Sequence, residues 1–274
     1  IAHLVMLVKI IKVCKKEVEF ENDKIKLDID RHNEEICKTK YPLLLVHGIF
    51  FRDFEKLNYW GRIPDELIKN GATIYYGNHS SSLSVEESAE ELRDRIKQII
   101  KETGCKKVNV IAHSKGGLDT RYAISNLGMD KYIASLSMIN TPNHGCLFAD
   151  YLLNKAPNGF KEKVASGYNF TLKKLGDKNP DFISGVTDLT SKRCEELNKK
   201  MKNNKNVYYK AYGSVLKRPT SGRFPLNLTT TFVGHFDGKN DGLVGIESFP
   251  IDKEFTLIET PYKRGISHGD VIDL

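Results

Sequence analysis

The residues Ala112-His113-Ser114-Lys115-Gly116-Gly117 stand between a run that reads as a strand, Lys107–Ala112, and one that reads as a helix, Lys115–Asn126. A serine hydroxyl is a poor nucleophile until a base takes its proton. A sharp strand-to-helix turn lifts the hydroxyl clear of the sheet edge, and it needs small residues two before and two after, where strand and helix approach closely. Gly116 meets this outright, and Ala112 adds one methyl where glycine is usual. The helix start also aims backbone N–H groups at a developing oxyanion. A chance match in an ordinary crossover is the competing reading. The correct context on both sides favours the nucleophile.

His47-Gly48-Ile49-Phe50 follows the buried-strand run Tyr41–Val46 and is placed to supply a second oxyanion donor. We assign the donors to the N–H groups of Ile49 and Lys115. His47 reads as a residue that fixes this loop, and the Lys115 side chain is expected in solvent. A base and an acid must follow in the order Ser, Asp, His. Of the eight histidines, His3 and His32 precede the core, His79 and His144 come too early, and His235 precedes the best acid. His268, in a loop after the last strand-like run, fits both order and place. For the acid, Asp241 and Asp237 are rivals, and either could orient the imidazole.

The elements around these residues alternate. Arg62–Lys69 reads as a short helix and Ala72–Tyr76 as a strand. Ser84–Lys101 is a helix opened by a Ser84/Glu87 capping box, with Val85, Ala89, Leu92, Ile96 and Ile99 as one apolar stripe. Ile133–Ile139, Val207–Tyr212, Thr229–Val233 and Phe255–Ile258 read as strands, as does the alternating run Lys24–Asp30. Strands alternating with helices imply a mostly parallel sheet covered on both faces, in a single α/β domain over residues 1–274. The polar, lysine-rich stretch at about 146–205 reads as an insertion, of the kind that forms a lid. Within it Phe148, Leu152, Leu153, Phe160, Phe170 and Phe182 could line an acyl site, but a small core of the insertion's own is the preferred reading.

A net charge of +7 with dispersed basic residues, and no zinc-finger, RRM or basic-zipper pattern, argues against nucleic acid. Five irregularly spaced cysteines do not form a disulfide framework. Ile1–Val13 is apolar but carries Lys9 and Lys12. It is too short to span a bilayer, and reads as a first strand or as the remainder of an export or anchor segment.

Together these segments resemble the secreted bacterial lipases of the α/β-hydrolase superfamily, above all the thermostable Bacillus-type triacylglycerol lipases, with a weaker likeness to the Pseudomonas and Burkholderia type. VHGIF resembles the oxyanion loop, IAHSKGG the nucleophile turn, and NDGLV the motif that holds the acid, which raises Asp241 over Asp237. The resemblance implies a carboxylic-ester hydrolase with Ser114, Asp241 and His268 as its triad, a helical lid, transient contact with a lipid interface, a monomer, and secretion or cell-envelope association, with a cytoplasmic location as the alternative. It implies no cofactor for the chemistry. Asp65 stands where one zinc-binding aspartate would be, but no paired histidines follow, so no zinc is expected. Asp270, two residues after His268, matches a calcium ligand, so a structural calcium is expected there. The chain ends soon after His268, where the resemblance leads one to expect a closing helix. A depolymerase of polyesters or polyhydroxyalkanoates is the alternative within enzymes. A non-catalytic lipid- or protein-binding protein of this fold is the alternative outside them.

Overall fold

The run Leu43–Val46 is buried along its whole length, as a strand covered on both faces must be. In the computed structural model it forms β1 of a six-stranded sheet with β2 (Ile74–Tyr76), β3 (Val108–His113), β4 (Ile133–Ile139), β5 (Tyr208–Ser214) and β6 (Phe255–Ile258). The described residues are 2–49, 59–80, 82–155, 182–218, 226–261 and 264–273, with scattered positions between 157 and 170. The strand order is β2-β1-β3-β4-β5-β6, and every neighbouring pair is parallel. The order reverses between β1 and β3. In a doubly wound sheet that reversal opens a crevice at the carboxyl ends of the strands, and Ser114 follows β3 at that point.

The helices are α1 (Ala2–Asn33), α2 (Ile63–Lys69), α3 (Val85–Thr103), α4 (Lys115–Asn126), α5 (Leu147–Asn154), α6 (Phe182–Thr187), α7 (Ser191–Lys200) and α8 (Leu226–Asp237). Ser84 caps α3 through the expected box with Glu87, and Gly104 closes it in the left-handed conformation. Its stripe Ala89, Leu92, Ile96 and Ile99 is fully buried against Val110, Leu136 and Met138 of the sheet. Leu92, Ile96 and Ile99 each contribute about 1.5–3 kcal/mol relative to exposure. This packing makes the central strands a rigid base for the loops at their carboxyl ends.

Two expected strands are helical. Lys24–Asp30 lies inside α1, where Ile25, Leu27 and Ile29 are exposed. A two-residue alternation produces a strand only where a sheet edge is there to pair with it, and the sheet's edges are β2 and β6. Thr229–Val233 lies inside α8. Its β-branched residues favour a strand, but Phe232 and Phe236, one helical turn apart, both pack against Tyr151 of α5. Tertiary contact overrides local preference there, and β5 pairs directly with β6. All five cysteines are free thiols. Burial pushes the Cys194 thiol up to about 12, which keeps it protonated at neutral pH.

Candidate active site

Ser114 has φ 55° and ψ −132°, a strained conformation for a residue with a side chain. Close packing on both sides holds it there. A Cβ on Gly116 would sit 2.4 Å from the His47 carbonyl oxygen, and one on Gly48 would sit 2.5 Å from Ser114 Cβ. Only glycine allows β1, β3 and α4 to converge this tightly. The turn presents the Ser114 hydroxyl where β3 ends. Lys115 supplies the first amide of α4, which has no acceptor within its own helix. Ile49, the other expected donor, is buried and directly follows Gly48.

His268 Nε2 lies 3.0 Å from Ser114 Oγ, and His268 Nδ1 lies 2.6 Å from Asp241 Oδ2. A carboxylate only accepts, so Nδ1 carries the proton and the Nε2 lone pair faces the serine. Asp241 is fully buried and heavily solvated by protein. Its Oδ1 accepts from the N–H groups of Leu243 and Val244, each at 2.9 Å, and its Oδ2 also accepts from Asn140 Nδ2 at 2.8 Å. The His268 N–H donates to the Asp241 carbonyl at 2.8 Å, so the base is tied to the acid by backbone as well. Asp237 has other work: its carboxylate accepts from the N–H groups of Leu147 and Phe148, at 3.1 and 3.3 Å, at the start of α5. His235 is exposed on α8.

Three residues not singled out as site residues complete the cluster. Asn140, at the end of β4 with φ 48°, bridges Ser214 and Asp241. Tyr59 and His113 form a short chain. The Gly48 N–H donates to Tyr59 Oη at 3.0 Å, Tyr59 bonds His113 Nδ1, and His113 Nε2 lies 3.0 Å from the His268 carbonyl. A carbonyl can only accept, so His113 is protonated at Nε2 and accepts the Tyr59 hydrogen bond at Nδ1. Burial holds this imidazole well below its ordinary pKa, and the neighbouring His268 adds to the effect, so it stays neutral. The chain links the oxyanion loop to the backbone of the base.

The chain as a whole is similar to known proteins. The model of the family Lipase (class 2) matches residues 40–215. This chain belongs to the class 2 lipase family. The matched span holds Ile49, Ser114 and Lys115 but stops before Asp241 and His268, which join the site by geometry. The triacylglycerol lipase of Vibrio cholerae is 36% identical over 132 residues, 47% of this chain and 42% of that protein. That of Burkholderia plantarii is 35% identical over 138 residues, 47% of this chain and 38% of that protein. The chain thus spans less than half the length of these curated relatives. Among solved structures, the Bacillus licheniformis lipase BlEst2 in mature form shares the fold with a TM-score of 0.63 at 21% identity, covering 85% of this chain and 86% of that one. The architecture is that of the α/β-hydrolases.

The Lys115 side chain is not in solvent, as the sequence suggests, but fully buried. Its ammonium donates to Asp119 Oδ1 at 2.7 Å and Ser88 Oγ at 3.0 Å. The four-residue spacing places Asp119 one turn on along α4, beneath the lysine. Asp119 Oδ2 lies 3.4 Å from His79 Nε2, and the His79 ring stacks on His47 at 4.5 Å between centroids. Burial raises the Asp119 carboxyl to about 6, against the opposing pull of Lys115. Both expected oxyanion donors therefore rest on one buried polar group, Lys115 directly and Ile49 through the His47 loop.

The insertion meets the site at α6: a Cβ on Gly185 would lie 3.3 Å from Ile49 Cδ1 and from the Ser82 carbonyl oxygen. Its base is pinned by Asp188, which accepts from the Val85 N–H and pairs with Arg193. Phe148 and Leu153 pack with Cys146, Ala149, Ala165 and Val186, Phe148 also meets Phe232 of α8 edge to face, and Phe170 is exposed. Of the other expected lining residues, Phe160 lies outside the described residues, as do the side chains of Leu152 and Phe182. The Asp270 carboxylate is turned to Arg264 at 2.8 Å and accepts from Ser267 N–H and Oγ. A carboxylate committed to a guanidinium and two donors does not fit a calcium ligand. Asp65 lies in the first turn of α2. Among the described residues, no group of three or more His, Cys, Asp and Glu could hold a metal.

Proposed function

We propose that this chain is a carboxylic-ester hydrolase that works through an acyl-enzyme on Ser114. The observation that carries the reading is the aligned row Asp241–His268–Ser114, with separations of 2.6 and 3.0 Å. His268 Nε2 takes the hydroxyl proton as Ser114 Oγ attacks the ester carbonyl carbon. The carbonyl oxygen becomes an oxyanion, met by the N–H groups of Ile49 and Lys115. On collapse, the carbon–alkoxy bond breaks and His268 gives its proton to the leaving alcohol. Water, deprotonated by His268, then attacks the acyl carbon, the bond to Ser114 Oγ breaks, His268 returns the proton to Oγ, and the acid leaves. Asp241 stays ionised throughout and stabilises the imidazolium.

A lipid ester is the proposed substrate class. The relatives named above are triacylglycerol lipases. The approach of α6 to Ile49 supports a covered site for a single acyl chain over an open polymer groove, and supports reading the 146–205 stretch as a lid. Turnover of p-nitrophenyl butyrate and p-nitrophenyl palmitate, together with labelling by a fluorophosphonate, tests the reading. Ser114→Ala is expected to lower kcat by about 10⁶ and to abolish labelling. Retained turnover in that variant would overturn the assignment. A chelator added to the same assay tests the calcium expectation, and Arg264→Ala, which frees Asp270, is the variant in which a calcium response is expected.

A further inference from the structure

Outside the site, the largest unexplained feature is the first half of α1. Every described side chain from residue 3 to 27 is exposed. Leu4, Val5, Met6, Leu7, Val8, Ile10, Ile11 and Val13 are each between 47% and 69% exposed. At about 100° per residue these side chains do not form one stripe. Leu4, Val8 and Ile11 share one side, Met6, Ile10 and Val13 the opposite one, and Val5 and Leu7 lie between. A protein partner, or a second copy in a coiled coil, covers a single seam and leaves the other sides wet. The apolar surface is a broad arc, with Lys9, Lys12 and Lys16 together on the remaining side beside Val5, and a helix of that kind lies in a lipid interface.

The charges indicate which medium. No acidic residue occurs before Glu17, whereas Lys9, Lys12, Lys15 and Lys16 follow or interrupt the apolar run. Lysine stems are long enough to lie along apolar surface and deliver the ammonium to a headgroup layer. Residues 4–13 rise about 15 Å, half of a hydrocarbon core of about 30 Å. This agrees with the finding that, among the described residues, no helix is long and apolar enough to cross a membrane. The far end of α1 is tied to the body, where His32 Nδ1 bonds the Lys69 carbonyl.

We propose that residues 4–13 of α1 seat this protein in lipid, entering the apolar layer of an anionic membrane with Lys9, Lys12, Lys15 and Lys16 at its headgroups. The proposal stands whether or not Ser114 is a nucleophile. The test is co-sedimentation of the whole chain, carrying Ser114→Ala so that lipids survive, with vesicles of phosphatidylcholine alone or mixed with phosphatidylglycerol. We expect pelleting with the anionic vesicles that persists in about 0.5 M salt, where surface electrostatics are screened. Leu7→Asp with Ile10→Asp should lower the bound fraction at least about tenfold, and replacing the four lysines by Gln should remove the preference for anionic vesicles. In the Ser114 background the Leu7/Ile10 variant should hydrolyse soluble p-nitrophenyl acetate like its parent, which shows that it is folded. A parent that stays in the supernatant, or a Leu7/Ile10 variant that pellets equally well, overturns the proposal. So does a lipid-free dimer that this variant dissociates without any loss of vesicle binding.

Discussion

Asp241 and Asp119 are both fully buried, one bonded to His268 and one to Lys115, yet they are held by different means. Asp241 sits among hydrogen-bond donors, two backbone amides, one side-chain amide and the His268 ring. Asp119 instead answers a buried lysine, with burial still raising its pKa to about 6. The first arrangement leaves a carboxylate negative and available to an imidazolium that forms in passing. The second neutralises a permanent charge and ties a helix start to a loop. A carboxylate that must respond during a reaction is thus surrounded by dipoles, and one that must only hold a position is paired with a charge.

The largest expected effect separates Asp241 from its sequence rival. Asp241→Asn should lower kcat by about 10⁴, because the amide favours the wrong His268 tautomer. Asp237→Asn should leave kcat within a few-fold and cost about 1 kcal/mol of stability through the α5 start. Steady-state kinetics and urea melts on the two variants decide, and equal kinetic losses would break the distinction.

The next effect probes the charged side. Lys115→Met or Asp119→Asn alone leaves a buried charge without its partner and should cost about 3–5 kcal/mol. The double variant Lys115→Met/Asp119→Leu should lose far less than the sum of the single changes. Additive losses in denaturant melts would mean that the pair is not coupled.

A pH effect follows from the same pair. The folded-state pKa of Asp119 lies above its ordinary value of 3.8. The native state therefore holds this proton longer than the unfolded chain, and the group's contribution to stability falls as pH rises from about 4 to about 6. The double variant should lack that slope, which urea midpoints across this range would show; an unchanged slope would assign it to other groups. A smaller effect than those of the charged pair is expected for Tyr59→Phe, which removes one link between Gly48 and His113. It should cost about 1–3 kcal/mol and lower kcat less than tenfold, read in the same melts and assays.

Much of this was legible in the chain because it is local. The nucleophile turn needs small residues within a span of five, and Ala112 and Gly116 are there to be read. The capped helix α3 carries both its start signal and its stripe. What failed was also local in its evidence. Thr229–Val233 has strand-forming residues, and nothing nearby in sequence reports that Tyr151, across the fold, packs on Phe232. Lys24–Asp30 alternates, but alternation is silent about whether a sheet edge is available. Lys115 reads as a solvated lysine until α3 brings Ser88 over it.

The amino-acid order alone determined which serine stands at a strand-to-helix turn, which histidine follows late enough to reach it, and the parallel architecture that brings strand ends together. Those properties are written in spacing and periodicity over short stretches. Tertiary structure alone decided that Asp237 caps α5, that His113 carries its proton on Nε2, and that Lys115 is buried beneath Ser88 of α3. Each of these depends on which polar groups meet after distant segments pack, and hydrogen bonds across a hundred residues leave no periodic trace in the chain.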